Sequence, residues 1–408
     1  MAQTDLAKIE NINLPDFSVP GPEYYGFGRD HNTRLFLYLH DALQSPEGAR
    51  IKEILGKDSR VQALVSSALV STGGGGGSKP ELDTLAMWFI YYASIKGIPE
   101  AVKSLEAYLA ASKIEYTAAA WVTGIEADQK VELVESVELV PIGLMPPSSD
   151  KEYFEEIEFS FHGNRTVKPR AALTLRGQTP KIFSSTPSQA NGERLGLVFG
   201  LLADSALVLN LIPGLSCLHG FTTSYLDDSV PMGPLGGRGG SIPNYDVSSV
   251  SKMTKVTPEL LGENDYAALL NAYRKLTGED RERWALIISR LGQAKRRFEL
   301  ADKILDLGIA MEMAIISSAS HREQLSLTFR LRGSRLLAED FTERKKIHDE
   351  LKDIYEYRSA VAHNGVIARK DRSKLERNIQ RYEELGSMVC SQLLLQHGRI
   401  DWDELLLD

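Results

Sequence analysis

With 408 residues the chain is too long for one ordinary core, and two or three domains are expected. Hydrophobic residues at 43% and charged residues at 25% exclude a disordered or membrane-embedded class. A net charge of −8 argues against a general nucleic-acid coat protein, and Cys217 and Cys390 alone exclude both a disulfide framework and a Cys-based zinc site.

The first 113 residues read as mostly helical. Residues 34–44 form an amphipathic pattern cut by Ser45-Pro46, and the glycine run over residues 73–77 reads as a flexible linker. Two helices are expected over residues 81–96 and 99–112, the second with Pro99 at a favoured first-turn position. The longest apolar run, residues 85–95, falls short of a bilayer span, and the chain start lacks the basic and apolar regions of a secretory leader. A soluble, cytoplasmic protein without membrane association is expected.

The pattern changes at Ile114. Residues 116–125 and 131–140 alternate in the manner of strands, as do residues 155–162 and 171–176, and residues 217–225 can return to the same sheet. Residues 194–209 are apolar and too long for a strand, which predicts a buried helix. This makes residues 114–250 an α+β region, the candidate for sensing or regulation. The glycine-rich segment over residues 232–241 lacks the Gly-Lys-Ser/Thr ending of a phosphate loop and reads as a mobile connection between domains.

From Pro258 to the end, residues 258–408, the composition is helical. Trp284, Ile287, Leu291, Ala294, Phe298, Ala301 and Leu305 recur at three and four, predicting one helix from residue 279 to 305. Further helices are expected over residues 309–316, 323–337, 342–362 and 373–396, joined by short connections as in an antiparallel bundle. The predicted class is thus α+β, a mixed amino-terminal region followed by an all-α bundle. Residues 281–399 carry 23 Lys plus Arg against 17 Asp plus Glu, an excess that permits local contact with phosphates. The acidic end over residues 401–408 reads either as a docking tail or as a frayed terminus.

The segment that carries chemistry runs from Tyr355 to Gly365, Tyr-Glu-Tyr-Arg-Ser-Ala-Val-Ala-His-Asn-Gly. Arg358 and His363 are five positions apart, roughly 140° around an ideal helix, so a continuous helix separates them. Asn364-Gly365 is a helix-stop signal, which predicts His363 on the last turn, where the chain can bring it back towards Arg358. The pair suits RNA cleavage without a metal. An imidazole titrates near neutrality and can take a proton from a ribose 2′-hydroxyl or give one to the leaving 5′ oxygen. A guanidinium can hold the scissile phosphate in a bidentate way and stabilise charge building on it. A second match to the spacing, Arg34 and His40, lies on an apolar helix and reads as packing.

The surroundings of Arg358 and His363 resemble a known family. The run Leu305-Asp-Leu-Gly-Ile-Ala-Met-Glu-Met resembles the first helix of the HEPN domain. Phe329-Arg-Leu-Arg-Gly-Ser-Arg-Leu-Leu, Glu343-Arg344 and Tyr355-x-x-Arg-Ser-x-x-x-His follow in the order typical of its Apea-like members, and the match spans residues 282–395. Residues 121–126 and 140–147 are similar, less specifically, to the amino-terminal region of such proteins. The resemblance implies a metal-independent endoribonuclease whose Arg/His motifs meet across a homodimer, with several members acting in anti-phage abortive defence or as toxins. It places Arg358 and His363 at the catalytic positions, Ser359 at the polar position after the Arg, and Glu312 on the facing helix. Asn364 stands where many relatives have Gly directly after the His. Tyr355 and Tyr357 are candidates for stacking on RNA bases, with at least one of them in the core. No cofactor is implied, and the other histidines show no metal-ligand spacing. The partners implied are RNA, a second copy of the chain, and an unknown trigger sensed by the amino-terminal region. A rival reading stays open, in which Arg358 pairs with Glu312 to organise a non-catalytic interaction or dimerisation module.

Overall fold

The computed structural model describes residues 5–14, 38–66, 69–71, 73, 77–134, 136–145, 151, 169–183, 189–231, 233, 239–241, 253–316, 324–397 and 400–407. Residues 38–43 are helical, and Ser45 and Pro46 end that helix and start the next, α1 (Pro46–Lys57). The Ser45 hydroxyl donates to Ala42 O at 2.7 Å and accepts from the Gly48 N–H at 3.0 Å, while Pro46 occupies a position that needs no N–H. Then follow α2 (Ser59–Val65), the short strands β1 (Leu69–Ser71) and β2 (Gly77–Ser78), α3 (Leu82–Lys96) and α4 (Ile98–Ala110). In α3 every residue from Leu85 to Ala93 is buried, because the helix is enclosed on all sides rather than laid on a surface. Among the described residues, no helix is long and apolar enough to cross a membrane. The linker expected over residues 73–77 is tied down at both ends. Gly73 has φ +104° and lies so close to the Tyr225 backbone that a Cβ would stand 3.2 Å from it, and Gly77 pairs with Ser71. Residues 74–76 lie outside the described set.

The middle region continues with β3 (Lys113–Thr123), β4 (Ile125–Glu126), β5 (Val131–Val134), β6 (Val137–Pro141), β7 (Ala171–Pro180), β8 (Ile182–Phe183), α5 (Gln189–Val208), β9 (Leu218–Tyr225), β10 (Gly239–Ser241) and β11 (Thr254–Lys255). Six strands form one antiparallel sheet in the order β10-β9-β3-β7-β6-β5. Its centre is β3, whose small residues Ala118 and Ala120 face the main core under α5, while Ala119 and Trp121 face a lesser cluster with Val140, Ile142 and Tyr225. The single strand expected over residues 131–140 is a hairpin, turned at Ser136 with φ +70°. The helix expected over residues 194–209 is present but half-buried: Leu202, Ala206 and Val208 enter the core, whereas Leu197 is 73% exposed. The glycine-rich segment ends in the edge strand β10 instead of a free loop, and residues 234–238 lie outside the described set, as does the strand expected at 155–162. Gly124 has φ +82° and would put a Cβ 2.0 Å from Ser216 O, so only glycine lets the chain before β9 close against the end of the sheet.

The carboxy-terminal region is helical: α6 (Pro258–Glu263), α7 (Tyr266–Lys275), α8 (Gly278–Arg296), α9 (Leu300–Ile315), α10 (Leu325–Leu337), α11 (Phe341–Asn364), α12 (Arg369–Leu395) and α13 (Trp402–Leu407). The long helix expected over residues 279–305 is two helices. The chain turns extended at Arg297, and Phe298, expected on the buried stripe, is 57% exposed in the turn. Local apolar spacing is continuous through this point, but a buried carboxylate folds the chain back: Asp306 accepts from Arg290 Nη1 at 2.6 Å and from Arg297 Nε at 3.0 Å, clasping α8 to α9. α9 also packs on α11 and α12, and α10 packs on α11. One cluster of buried residues runs from Val122 and Leu173 in the sheet through Leu291 and Leu307 to Ile354 and Leu385 in the bundle. The acidic end is neither frayed nor detached, since α13 docks with Arg332 over the Trp402 ring at 4.6 Å.

Candidate functional site

Arg358 lies in α11 where that helix crosses α9. It can lie there because α9 carries Gly308 at the crossing: a Cβ on residue 308 would stand 2.6 Å from Arg358 Cβ and 2.5 Å from its Cγ. The aliphatic stem thus occupies the space that any other residue would fill. One helical turn further on, at i+4 on the same face, Glu312 meets the head group, with Arg358 Nη2 2.6 Å from Glu312 Oε2. The two side chains are 25% and 22% exposed. Arg358 Nε is a buried donor without a hydrogen-bond partner. Removing a fully buried ion-pair partner costs about 3–5 kcal/mol. Glu312→Ala should cost about 1–2 kcal/mol, because residual exposure lets water take over part of the guanidinium's solvation. Urea denaturation that shows no shift in midpoint would remove the orienting role.

Arg358 and Glu312 line an open depression of about 460 Å³ together with Arg283, Ile309, Met313 and Ile316. Arg283, from the first half of α8, anchors one nitrogen on Met313 O at 2.7 Å. Burial pulls its pKa below the ordinary guanidinium range, while Asp280 acts against that shift. Two guanidiniums against one carboxylate leave the depression with a net positive charge beside three partly exposed apolar side chains. A phosphodiester and its sugar match that combination in charge and surface.

His363 lies on the last turn of α11 and is exposed, and Asn364 beside it is exposed too. The helix stops at Gly365, in the left-handed region at φ +72°, with its N–H donating to Val361 O at 2.8 Å. The stop comes after His363 and not before it, so the chain does not turn the imidazole back to Arg358. Regular helical geometry leaves the two side chains roughly 140° apart and about 7.5 Å apart along the axis. His363 makes no side-chain hydrogen bond or ion pair among the described residues. Ser359 is half-buried, Tyr357 is core, and Tyr355 packs its ring on Phe329 with centroids 5.6 Å apart. One chain therefore assembles Arg358, Glu312 and Arg283, and leaves His363 pointing elsewhere.

No family model, curated protein or solved structure matches this chain.

Two participants are absent from the reading of the motif. Gly308 had a visible signal: a glycine inside a run of good helix formers, Leu307-Gly-Ile-Ala-Met, costs about 1 kcal/mol relative to Ala and so implies a close packing partner. Arg283 had none, since an arginine on a helix is ordinarily a solvated surface residue, and only the packing of α8 on α9 places it in one depression with Glu312.

Proposed function

We propose that the bundle is a metal-independent endoribonuclease of the HEPN type, acting on RNA as a homodimer. The observation that carries this reading is the arrangement around Arg358, a guanidinium held by Glu312 over Gly308 at a positively charged depression that Arg283 also lines. Arg358 and Arg283 hold the scissile phosphate, and an imidazole from His363 removes the 2′-hydroxyl proton. The 2′ oxygen attacks phosphorus, the bond to the 5′ oxygen breaks, and that oxygen takes up a proton. The products are a 2′,3′-cyclic phosphate and a 5′-hydroxyl, and DNA cannot follow this route. His363 reaches the phosphate from a second copy, because a regular α11 separates it from Arg358 on its own chain. The partly exposed Ile309, Met313 and Ile316 give that copy an apolar surface to dock on.

The activity awaits a trigger at the α+β region, and the setting is cytoplasmic anti-phage defence by abortive infection, or toxicity of the same kind. Coupling is supported by the buried cluster shared between sheet and bundle, since close-packed interiors transmit strain. The test is the chemistry of the ends. RNA from cells arrested by the protein should carry new 2′,3′-cyclic phosphate termini, and cleavage in their lysates should persist in chelator. Growth arrest with intact RNA would leave only a non-catalytic interaction module, and fragments ending in 3′-hydroxyl would exclude attack by the 2′ oxygen.

A further inference from the structure

Glu312 lies in the last turn of α9, which ends at Ile315. The final carbonyls of a helix have no donors within it, and helix ends fray more readily than helix middles. A carboxylate that holds Arg358 therefore stands on the least secure part of its helix, unless neighbouring elements supply the missing donors. They supply them from both sides. Arg283 of α8 donates through Nη2 to Met313 O at 2.7 Å, and Arg332 of α10 donates through Nη1 to Ile315 O at 3.2 Å. Both arginines are half-buried, and burial pulls the Arg332 pKa below the ordinary guanidinium range while Asp403 opposes that shift.

The carboxy-terminal end of the chain reaches the neighbourhood of both caps. His397, just after α12, accepts from Trp284 Nε1 at 3.3 Å through Nδ1, and its Nε2 lies 3.2 Å from Asp280 Oδ2. An indole N–H only donates, so Nδ1 is the acceptor and Nε2 carries the proton towards the carboxylate. Asp280 and Trp284 bracket Arg283 on α8. Further on, Asp401 accepts from the Asp403 N–H at 2.9 Å and the Glu404 N–H at 3.1 Å, which starts α13 and sets Trp402 on its first turn. The Arg332 guanidinium lies over the Trp402 ring, 4.6 Å from its centre. A six-residue helix has little stability of its own, and α13 packs on α10, the helix that carries Arg332. A cation over an aromatic face is attracted to it and loses freedom to turn away.

We infer that Arg332 and Trp402 are positioning residues for the site around Arg358. Trp402, presented by α13, keeps Arg332 on Ile315 O, and the capped turn keeps Glu312 against Arg358. The path is short, since Ile315 and Glu312 are three residues apart, within one turn of helix. The acidic carboxy-terminal helix is thereby part of the ribonuclease, and a change that lifts it off α10 slackens the grip on Arg358. This inference rests on the reading of Arg358 as the group that holds the phosphate.

The test is a double-mutant cycle in the full chain, pairing Trp402→Ala with Glu312→Gln and read in two ways. RNA cleavage in lysates of triggered cells is the first, and the urea midpoint, which requires no ribonuclease activity, is the second. A tail that merely stabilises the bundle gives additive losses in both, as independent sites do. Positioning gives less than additivity. With Glu312 already altered, removing Trp402 should cost no further cleavage and shift the midpoint less than it does in the unaltered chain. Trp402→Ala alone should slow cleavage at least about tenfold, since a displacement near 1 Å at a catalytic group costs ~10². Trp402→Phe keeps an aromatic face for Arg332 and should restore most of that loss. Glu404→Gln alters only an exposed charge on the tail and should match the unaltered chain. Additive midpoint shifts, or cleavage by Trp402→Ala as fast as by Glu404→Gln, would overturn the inference. No cleavage by the unaltered chain, together with less-than-additive midpoints, would sink the ribonuclease reading and leave the positioning of Glu312 supported.

Discussion

His363→Ala is expected to abolish RNA cleavage and growth arrest in triggered cells while leaving the fold and any dimer intact. The side chain is exposed on the last turn of α11 and fills no core, so its removal should leave the unfolding midpoint unchanged. Loss of a general acid–base lowers the rate by ~10²–10⁴. Arg358→Ala should be at least as damaging, because it removes the contact to the developing charge, and it also leaves Glu312 without its partner. Co-expression of the two variants separates a composite site from a single-chain one. A mixed dimer keeps one Arg358 and one His363 on opposite chains, so about a quarter of the cleavage should return under random pairing. If cells expressing His363→Ala at the level of the unaltered protein arrest and fragment their RNA equally well, the nuclease reading fails and the interaction-module reading replaces it. An absence of rescue in the mixed dimer, with both single variants inactive, would instead contradict the trans arrangement.

Helices were legible in the sequence where a stop signal and an apolar stripe coincided, as from Phe341 to Gly365, whereas Ser45-Pro46 read only as a break and the helices that follow it, α1 and α2, were not expected. Helices were misread where the stripe stayed in register across a turn. Ala294, Phe298 and Ala301 keep helical spacing, yet the chain reverses between them because Asp306 draws Arg290 and Arg297 together, a contact invisible until both helices exist. The glycine runs misled for a related reason. Gly73, Gly77 and Gly239 read as mobility but serve close approach and edge pairing, for which lack of a side chain is equally suited. In the site, the pairing of Glu312 with Arg358 followed from a carboxylate on an apolar stripe needing a cation. The relation of His363 to Arg358 hinged on the helix end, expected at residue 362 and found at Asn364, and helix ends are the least certain feature of any sequence reading.

Gly308→Val is expected to inactivate the protein without unfolding it, and it tests the positioning of Arg358 from the far side of the helix crossing. Two terms oppose each other in stability. Replacing a mid-helix glycine gains up to about 1 kcal/mol of helical propensity, less for a β-branched residue. The new Cβ lands 2.6 Å from Arg358 Cβ and 2.5 Å from Cγ, and these atoms are fixed near the backbone of α11, so they cannot swing aside as a flexible tip would. Overpacking of this kind costs about 1–3 kcal/mol, leaving a modest net loss that shows as a small shift in denaturation midpoint. The effect on cleavage should be larger. Relief of the overlap moves α11 away from α9 or rotates Arg358 off Glu312, and a displacement near 1 Å at a catalytic group can lower the rate by ~10². Gly262→Ala is the control, since a Cβ on that helical glycine meets nothing within 4 Å and should leave both stability and cleavage at least as high as before. Cleavage by Gly308→Val within a few-fold of the unaltered chain would show that Arg358 does not act from the position Gly308 permits.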